Sequence, residues 1–224
     1  DNKVFDSTGV QWIINPWDEL ALTRAVELKE AGGVDTITVA NVGESITEPT
    51  LRKALAVGAD DAIRIDTAPK DAFYVASQLA QVAKDYDVIM VGIEASDYNG
   101  SAVGGMLAEL LDFNSVSAVS GMNIENGQLT LTREIDGGQQ KISVSTPVVA
   151  IVQKGIAIDP RIPAMRGIMM ARKKPLTVVP AIEAGEKTSY VDFELPPPKA
   201  ACKMVEEDNV KELVRLLQEE AKAL

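Results

Sequence analysis

The chain has 224 residues, 46% of them hydrophobic and 25% charged, which suits one sizeable core or one domain with an appendage. It has no histidine and one cysteine, Cys202, so a Ser-His-Asp triad, a Cys-His pair, a His-ligated metal, a structural zinc site, an iron–sulfur cluster and an internal disulfide are all excluded. With 22 basic against 33 acidic residues the net charge is −11, which removes the electrostatic footprint of general nucleic-acid binding and points to a protein or a small molecule as partner.

The longest apolar runs, such as Thr146-Pro147-Val148-Val149-Ala150-Ile151-Val152, are too short to span a bilayer, so no membrane insertion is expected. The opening Asp1-Asn2-Lys3 is not a signal peptide, and with so little cysteine a reducing interior is the expected setting.

In chain order, Leu20, Leu22, Ala25, Val26 and Leu28 recur at helical spacing between Pro16 and Ala31, and Gly32-Gly33 ends the run. Thr36 to Ala40 reads as a buried strand, Thr47 to Val57 as a helix and Asp60 to Ile65 as a strand. Ala72 to Lys84 (helix), Asp87 to Gly92 (strand) and Ser101 to Asp112 (helix) continue the alternation. Such βαβ units imply right-handed crossovers and an α/β fold with a parallel sheet covered by helices on both faces.

After Asp112 the period shortens. Ser115 to Ile124, Gln128 to Ile135 and Gln139 to Ser145, separated by Glu125-Asn126-Gly127 and Asp136-Gly137-Gly138, predict an antiparallel meander. Val148 to Gln153 is one more buried strand and Thr177 to Val179 a short last one. We therefore expect a domain over 1–180 and, over 181–224, an extended arm through Pro196-Pro197-Pro198 ending in an amphipathic helix between Val205 and Ala223. That helix has two readings, folded back on its own domain or gripping a partner.

In parallel sheets, ligands bind beyond the carboxyl ends of the strands. Three loops fall there: Asn41 to Glu44 after a strand ending at Ala40, Gly92 to Ser101, and Ile14-Asn15-Pro16-Trp17-Asp18 with Asn15 as a helix cap. The small residues of the second loop leave backbone N–H groups at a helix start open to an anion, or simply make a turn and a cap. Neither a Gly-x-Gly-x-x-Gly nor a Gly-x-x-x-x-Gly-Lys-Ser/Thr motif is present. The stretch from Asp159 to Pro175 places five basic residues and three methionines in an acidic chain. It is either a solvated basic turn with its methionines tucked inward or an exposed apolar anchor ringed by positive charge.

Ile14-Asn15-Pro16-Trp17-Asp18-Glu19, Ala25 to Glu30, Ala54-Leu55-Ala56-Val57-Gly58-Ala59-Asp60, Arg133-Glu134-Ile135-Asp136-Gly137-Gly138, and Pro160-Arg161 leading to Ile168 through Lys174 appear in order over nearly the whole chain. Together they resemble the β subunit of electron transfer flavoprotein. The resemblance implies a Rossmann-like, adenine-nucleotide-hydrolase-like fold. It implies a heterodimer whose α subunit holds most of an FAD, passing electrons from dehydrogenases such as acyl-CoA dehydrogenases to a quinone-linked acceptor, in bacterial cytoplasm or mitochondrial matrix. It makes the chain an electron-carrier subunit with no catalytic residue and no metal.

A structural AMP would lie against Asn15, Pro16, Trp17, Asp18, Val42, Gly92, Asp97, Asn99, Gly100, Ser101, Ala102 and Val103. A dehydrogenase-recognition loop would run from about Val152 to Pro175, with Met165 as its anchor and Arg161, Ile168 and Met169 beside it; Glu134 would pair with α, and the C-terminal arm would embrace it. Ile93-Glu94, Tyr98-Asn99 and the Ser101-Ala102-Val103 run depart from the commoner family pattern, and flavin-bifurcating relatives, which hold a second FAD here, are the alternative. A nucleotide-cleaving enzyme of similar fold is a further one, for which the phosphate-loop motifs are missing. Family members also begin with a strand upstream of the residue matching Asp1, so the expected pocket lacks a wall.

Overall fold

The computed structural model describes residues 4–125, 127–199 and 201–223. Asp1-Asn2-Lys3 and the Asn126 of the expected Asn-Gly turn lie outside them. The chain forms two compact units, one over Ser7–Ser189 and the other over Tyr190–Leu224 with the opening residues up to Asp6.

The first unit begins with helix α1 (Pro16–Glu30), which has proline in its first turn, Asp18 and Glu19 at its positive end and Lys29 at its negative end. One side of α1 places Leu20, Ala21 and Leu28 against the core around Val119, Leu131 and Val148; another places Leu22 and Val26 against Leu51, Leu55 and Ala62. Gly32, at φ +78°, stops the helix where an L side chain would be strained.

Strand β1 (Thr38–Val42) is followed by a 3-10 turn (Ser45–Thr47), helix α2 (Glu48–Val57) and strand β2 (Asp61–Asp66). Then come α3 (Ala72–Ala83), β3 (Val88–Gly92), α4 (Val103–Leu111) and the three-stranded meander β4 (Asn114–Glu125), β5 (Gln128–Ile135) and β6 (Gly138–Val144). β7 (Val148–Val152), α5 (Met165–Ala171) and β8 (Leu176–Pro180) complete the unit.

β1 starts and ends two residues later than the sequence suggests. Asp60 engages Ile37 on both sides, its carboxylate accepting the Ile37 N–H at 2.7 Å and its own N–H donating to the Ile37 carbonyl at 2.8 Å, so pairing with β2 begins only at Thr38. At the other end Asn41 and Val42 still pair with Arg64 and Ile65, and are strand residues, not the loop residues expected.

The predicted sheet is parallel but not continuous. One sheet has the order β1-β2-β8, all parallel; the other has the order β3-β7-β4-β5-β6, parallel through β4 and antiparallel beyond it. β4 serves both patterns because it shifts register between Val116 and Val119, where Ala118 takes a positive φ of 56°. β7 lies between two neighbours, and its Val148, Val149, Ala150 and Val152 are fully buried. Each such valine adds about 1.5–3 kcal/mol relative to an exposed one.

Among the described residues, β1 and β3 each have a strand on one side only. Both border an apolar cavity of about 440 Å³, which Leu22, Ala25 and Leu28 of α1 also line. The strands there are half-buried instead of sealed on both faces.

After β8 the chain stays with the first unit as far as Ser189, because α3 holds it. The buried Gln78 amide donates to the Ile182 carbonyl at 2.8 Å and accepts from the Ile182 N–H at 2.9 Å. Asp71 caps α3 by accepting from the Tyr74 N–H at 2.8 Å, and it also accepts from the N–H groups of Lys187 and Thr188 at 2.6 and 2.8 Å.

In the second unit, helix α6 (Val210–Glu219) starts with a side-chain cap from Asn209 and carries Arg215 paired to both Glu212 and Glu219. It buries no residue, and Val210, Leu213 and Val214 are exposed on it. No helix among the described residues is long and apolar enough to cross a membrane.

Candidate functional site

Two of the three strand-end loops meet directly. Asp18, in the first turn of α1, accepts from the Gly92 N–H at 2.7 Å with one oxygen and from the Asn15 side-chain amide at 2.7 Å with the other. Asn15 also donates to the Glu94 carbonyl at 2.8 Å. Gly92 has to be glycine here, since a Cβ would lie 2.7 Å from the Asn15 amide nitrogen and 2.8 Å from the Trp17 Cβ. Asn15 stands at the cap position of α1 but makes no side-chain cap; its amide is spent on the neighbouring loop instead.

Although part of Asp18 reaches solvent, its carboxylate lies inside. Burial pushes its pKa up, and the bonds from Asn15 and Gly92 only partly pull it back. Asp18 therefore binds a proton more readily folded than unfolded, and its contribution to stability falls as pH rises through the raised value.

The loop from Ile93 to Ala102 is exposed over most of its length and holds two non-glycine residues at positive φ, Asn99 (53°) and Ser101 (48°). Asp97, Asn99 and Gly100 lie on its open side. Ala102, at the cap position of α4, offers no side-chain cap, which leaves the first N–H groups of that helix open among the described residues. Gly104 is fixed by packing, a Cβ there falling 2.7 Å from Ile151 and Val91, whereas Gly105 faces open space. The Ser101 hydroxyl donates to a Glu94 carboxylate oxygen at 3.0 Å, which sets a negative charge at the mouth of α4.

The third loop joins them through the cavity that Asn15, Asp18 and Asn41 line. Val42 is buried and turned into the core, so only its backbone is available to a ligand. Its neighbour Asn41 belongs to the strand-end loop expected from the sequence, but not to the AMP-binding residues that the resemblance implies. The side-chain oxygens of Asn41 and Asn15 are both buried and have no hydrogen-bond donor among the described residues. Behind them the buried Arg64 donates to the Gly43 carbonyl at 2.9 Å and pairs with Asp66 and Glu48, fixing the turn after β1. An asparagine closing a parallel strand was the available signal for Asn41; the placement of Arg64 depends on pairings far apart in sequence.

On the stretch after β7 the methionines are not tucked inward. Met165 is 74% and Met169 67% exposed, with Ile162 at 87% and Ile168 at 43%. Arg161 is engaged within the chain: its guanidinium grips Glu30 at 2.7 and 2.9 Å, and its N–H donates to Thr23 Oγ1 at 2.9 Å. The Arg161 bond holds the Glu30 carboxyl below its usual value. Arg166, Arg172 and Lys173 are exposed and form no ion pair among the described residues. Glu134 lies apart from these sites, on β5, where one carboxylate oxygen accepts from Ser120 Oγ at 2.6 Å and from Gln139 at 2.7 Å. Among the described residues, no cluster of acidic or cysteine side chains could hold a metal ion.

Parallel strands joined by helices, with loops converging beyond their carboxyl ends, define a Rossmann-like α/β protein. The electron transfer flavoprotein domain matches residues 2–184. "Electron transfer flavoprotein subunit beta" of Syntrophomonas wolfei is 39% identical over 93% of this chain and 83% of its own length. The proteins of that name from Bacillus subtilis and Homo sapiens are 35% and 32% identical, over 96% and 94% of this chain and 90% and 86% of theirs. The chain belongs to the electron transfer flavoprotein family, among its β subunits.

Proposed function

We propose that this chain pairs with an α subunit holding FAD, accepts electrons from dehydrogenases, passes them towards a quinone-linked acceptor, and contributes a structural AMP and a docking loop. The FAD supplies all the redox chemistry, so a chain without histidine or a reactive cysteine suffices for the β role.

The observation that carries the nucleotide assignment is the pair of buried side-chain oxygens on Asn15 and Asn41, without a donor among the described residues, that line one cavity. Leaving a buried acceptor unpaired costs about 1–3 kcal/mol, and the amino and hydroxyl groups of an adenine nucleotide are the donors it lacks. The open N–H groups from Ala102 onward suit the phosphate. The Asn15 side-chain oxygen, the Val42 backbone and the open loop carrying Asp97, Asn99, Gly100 and Ser101 complete the set of ligand contacts, while Pro16, Trp17, Asp18 and Gly92 hold it in shape. The gap between β1 and β3 suits the further parallel strand that the family resemblance implies as a wall of this pocket.

The exposed Met165 and Met169 with Arg166, Arg172 and Lys173 suit an apolar pocket with an acidic rim on the dehydrogenase. Glu134 and the uncovered face of α6 serve the α subunit.

Asn41→Leu tests the nucleotide site. AMP titrated calorimetrically into the nucleotide-stripped αβ complex should bind about tenfold more weakly to the variant, the loss of one buried hydrogen bond. If Asn41 touches no ligand, the same change removes an unpaired polar group, raises the melting temperature and leaves AMP affinity unaltered; that result would sink the assignment.

A further inference from the structure

Helix α5, which presents Met165 and Met169, has only seven residues, no side-chain cap at its start, and one buried residue, Ala171. A helix so short does not persist on its own propensity. Its support comes from α2, through an exchange of caps. Lys174 Nζ, just past the end of α5, donates to the Leu55 carbonyl of α2 at 2.9 Å and to the Ala59 carbonyl beyond it. In return Arg52 of α2 uses a single nitrogen to donate to the Ala171 carbonyl at 2.9 Å and the Lys174 carbonyl at 2.7 Å. Each helix thus has its negative end neutralised by a cation from the other segment.

Between these caps the two backbones nearly touch. A Cβ on Gly167 would lie 2.4 Å from the Ala56 carbonyl oxygen, and neither backbone atom can move aside as a side chain would. Gly167 and Ala171 are four residues apart and form the seam against α2. Met165 and Met169, also four apart, share a different face and remain exposed.

We propose that α2 is the seat of the docking helix, with Arg52, Lys174 and Gly167 as positioning residues that hold Met165 and Met169 ready for the dehydrogenase; this rests on the docking role proposed above. The seat spares the partner the entropy of ordering a loose loop when it docks.

The test uses the αβ complex and a dehydrogenase that reduces the wild type, with the reduction rate followed against dehydrogenase concentration. Gly167→Ala and Arg52→Met should each raise the half-saturating concentration at least fivefold, leave the plateau rate and flavin absorption unchanged, and speed amide exchange within 165–171. Arg52→Lys should recover part of the loss seen in Arg52→Met, and the two Arg52 variants carry the test if Gly167→Ala fails to assemble. If Met165→Ala weakens docking but the seat variants dock as the wild type does, the seat proposal is overturned and the docking role survives. If Met165→Ala also docks normally, the docking role fails and the seat falls with it.

Discussion

Glu94 is the residue that sits worst with a bound phosphate. Ser101 holds its carboxylate at the mouth of α4, where the open N–H groups and helix dipole otherwise favour an anion. Two negative charges about 4 Å apart in water repel by about 1 kcal/mol, more where the site is partly dry. Glu94→Gln, which keeps an acceptor for Ser101 and removes the charge, should therefore tighten AMP binding to the αβ complex by about fivefold, with the gain shrinking in high salt. An unchanged affinity in titration calorimetry would place the phosphate elsewhere. The sequence shows Glu94 in a strand-end loop, but not that Ser101 would turn it towards the helix start. The Asn15 and Asn41 oxygens were hidden for the same reason: which polar atoms go unpaired depends on contacts between segments far apart in the chain.

At the level of elements, the helices were readable because their apolar residues repeat with the helical period and their ends carry Pro16, Gly32 and Gly58. The meander was readable from its two glycine turns. Less readable was where strands begin, as the capture of Ile37 by Asp60 shows. The attachment of the segment after β8 was also hidden, since it depends on Gln78 and Asp71 of α3.

Asp71 links two of these elements. The Tyr74 N–H, with those of Lys187 and Thr188, holds its carboxyl below the usual value. Its pKa is lower folded than unfolded, so the stability it adds is present above about pH 3.8 and is lost as pH falls through the folded value. Asp71→Asn imitates that loss at neutral pH. Because one carboxylate oxygen holds the N–H of Lys187 and that of the Lys187–Thr188 peptide itself, trypsin should cut after Lys187 several times faster in the variant. Equal cleavage rates would show that Asp71 does not tether the segment.

For the whole molecule, the gap between β1 and β3 departs from the continuous parallel sheet that the alternation of strands and helices suggests. Each strand is plainly legible by itself, but pairing order is a global property, and the chain places an apolar cavity where a continuous sheet would run. Among the described residues, amides of β1 and β3 that face the gap have no strand partner, whereas β7 is paired on both sides. In hydrogen exchange on this chain the gap-facing amides should exchange orders of magnitude faster than those of β7. Uniform protection across β1, β3 and β7 would contradict the open edge.

The charge distribution is likewise a whole-molecule property: a net −11 with exposed Arg166, Arg172 and Lys173 on the stretch that carries exposed methionines. Zero histidine and one cysteine are consistent with a subunit that positions redox chemistry without performing it. The most direct test of that account is the nucleotide released on denaturing the αβ complex, separated and quantified chromatographically. The account predicts one FAD and one AMP per heterodimer; two FAD and no AMP would contradict it and make the β site that of a second flavin.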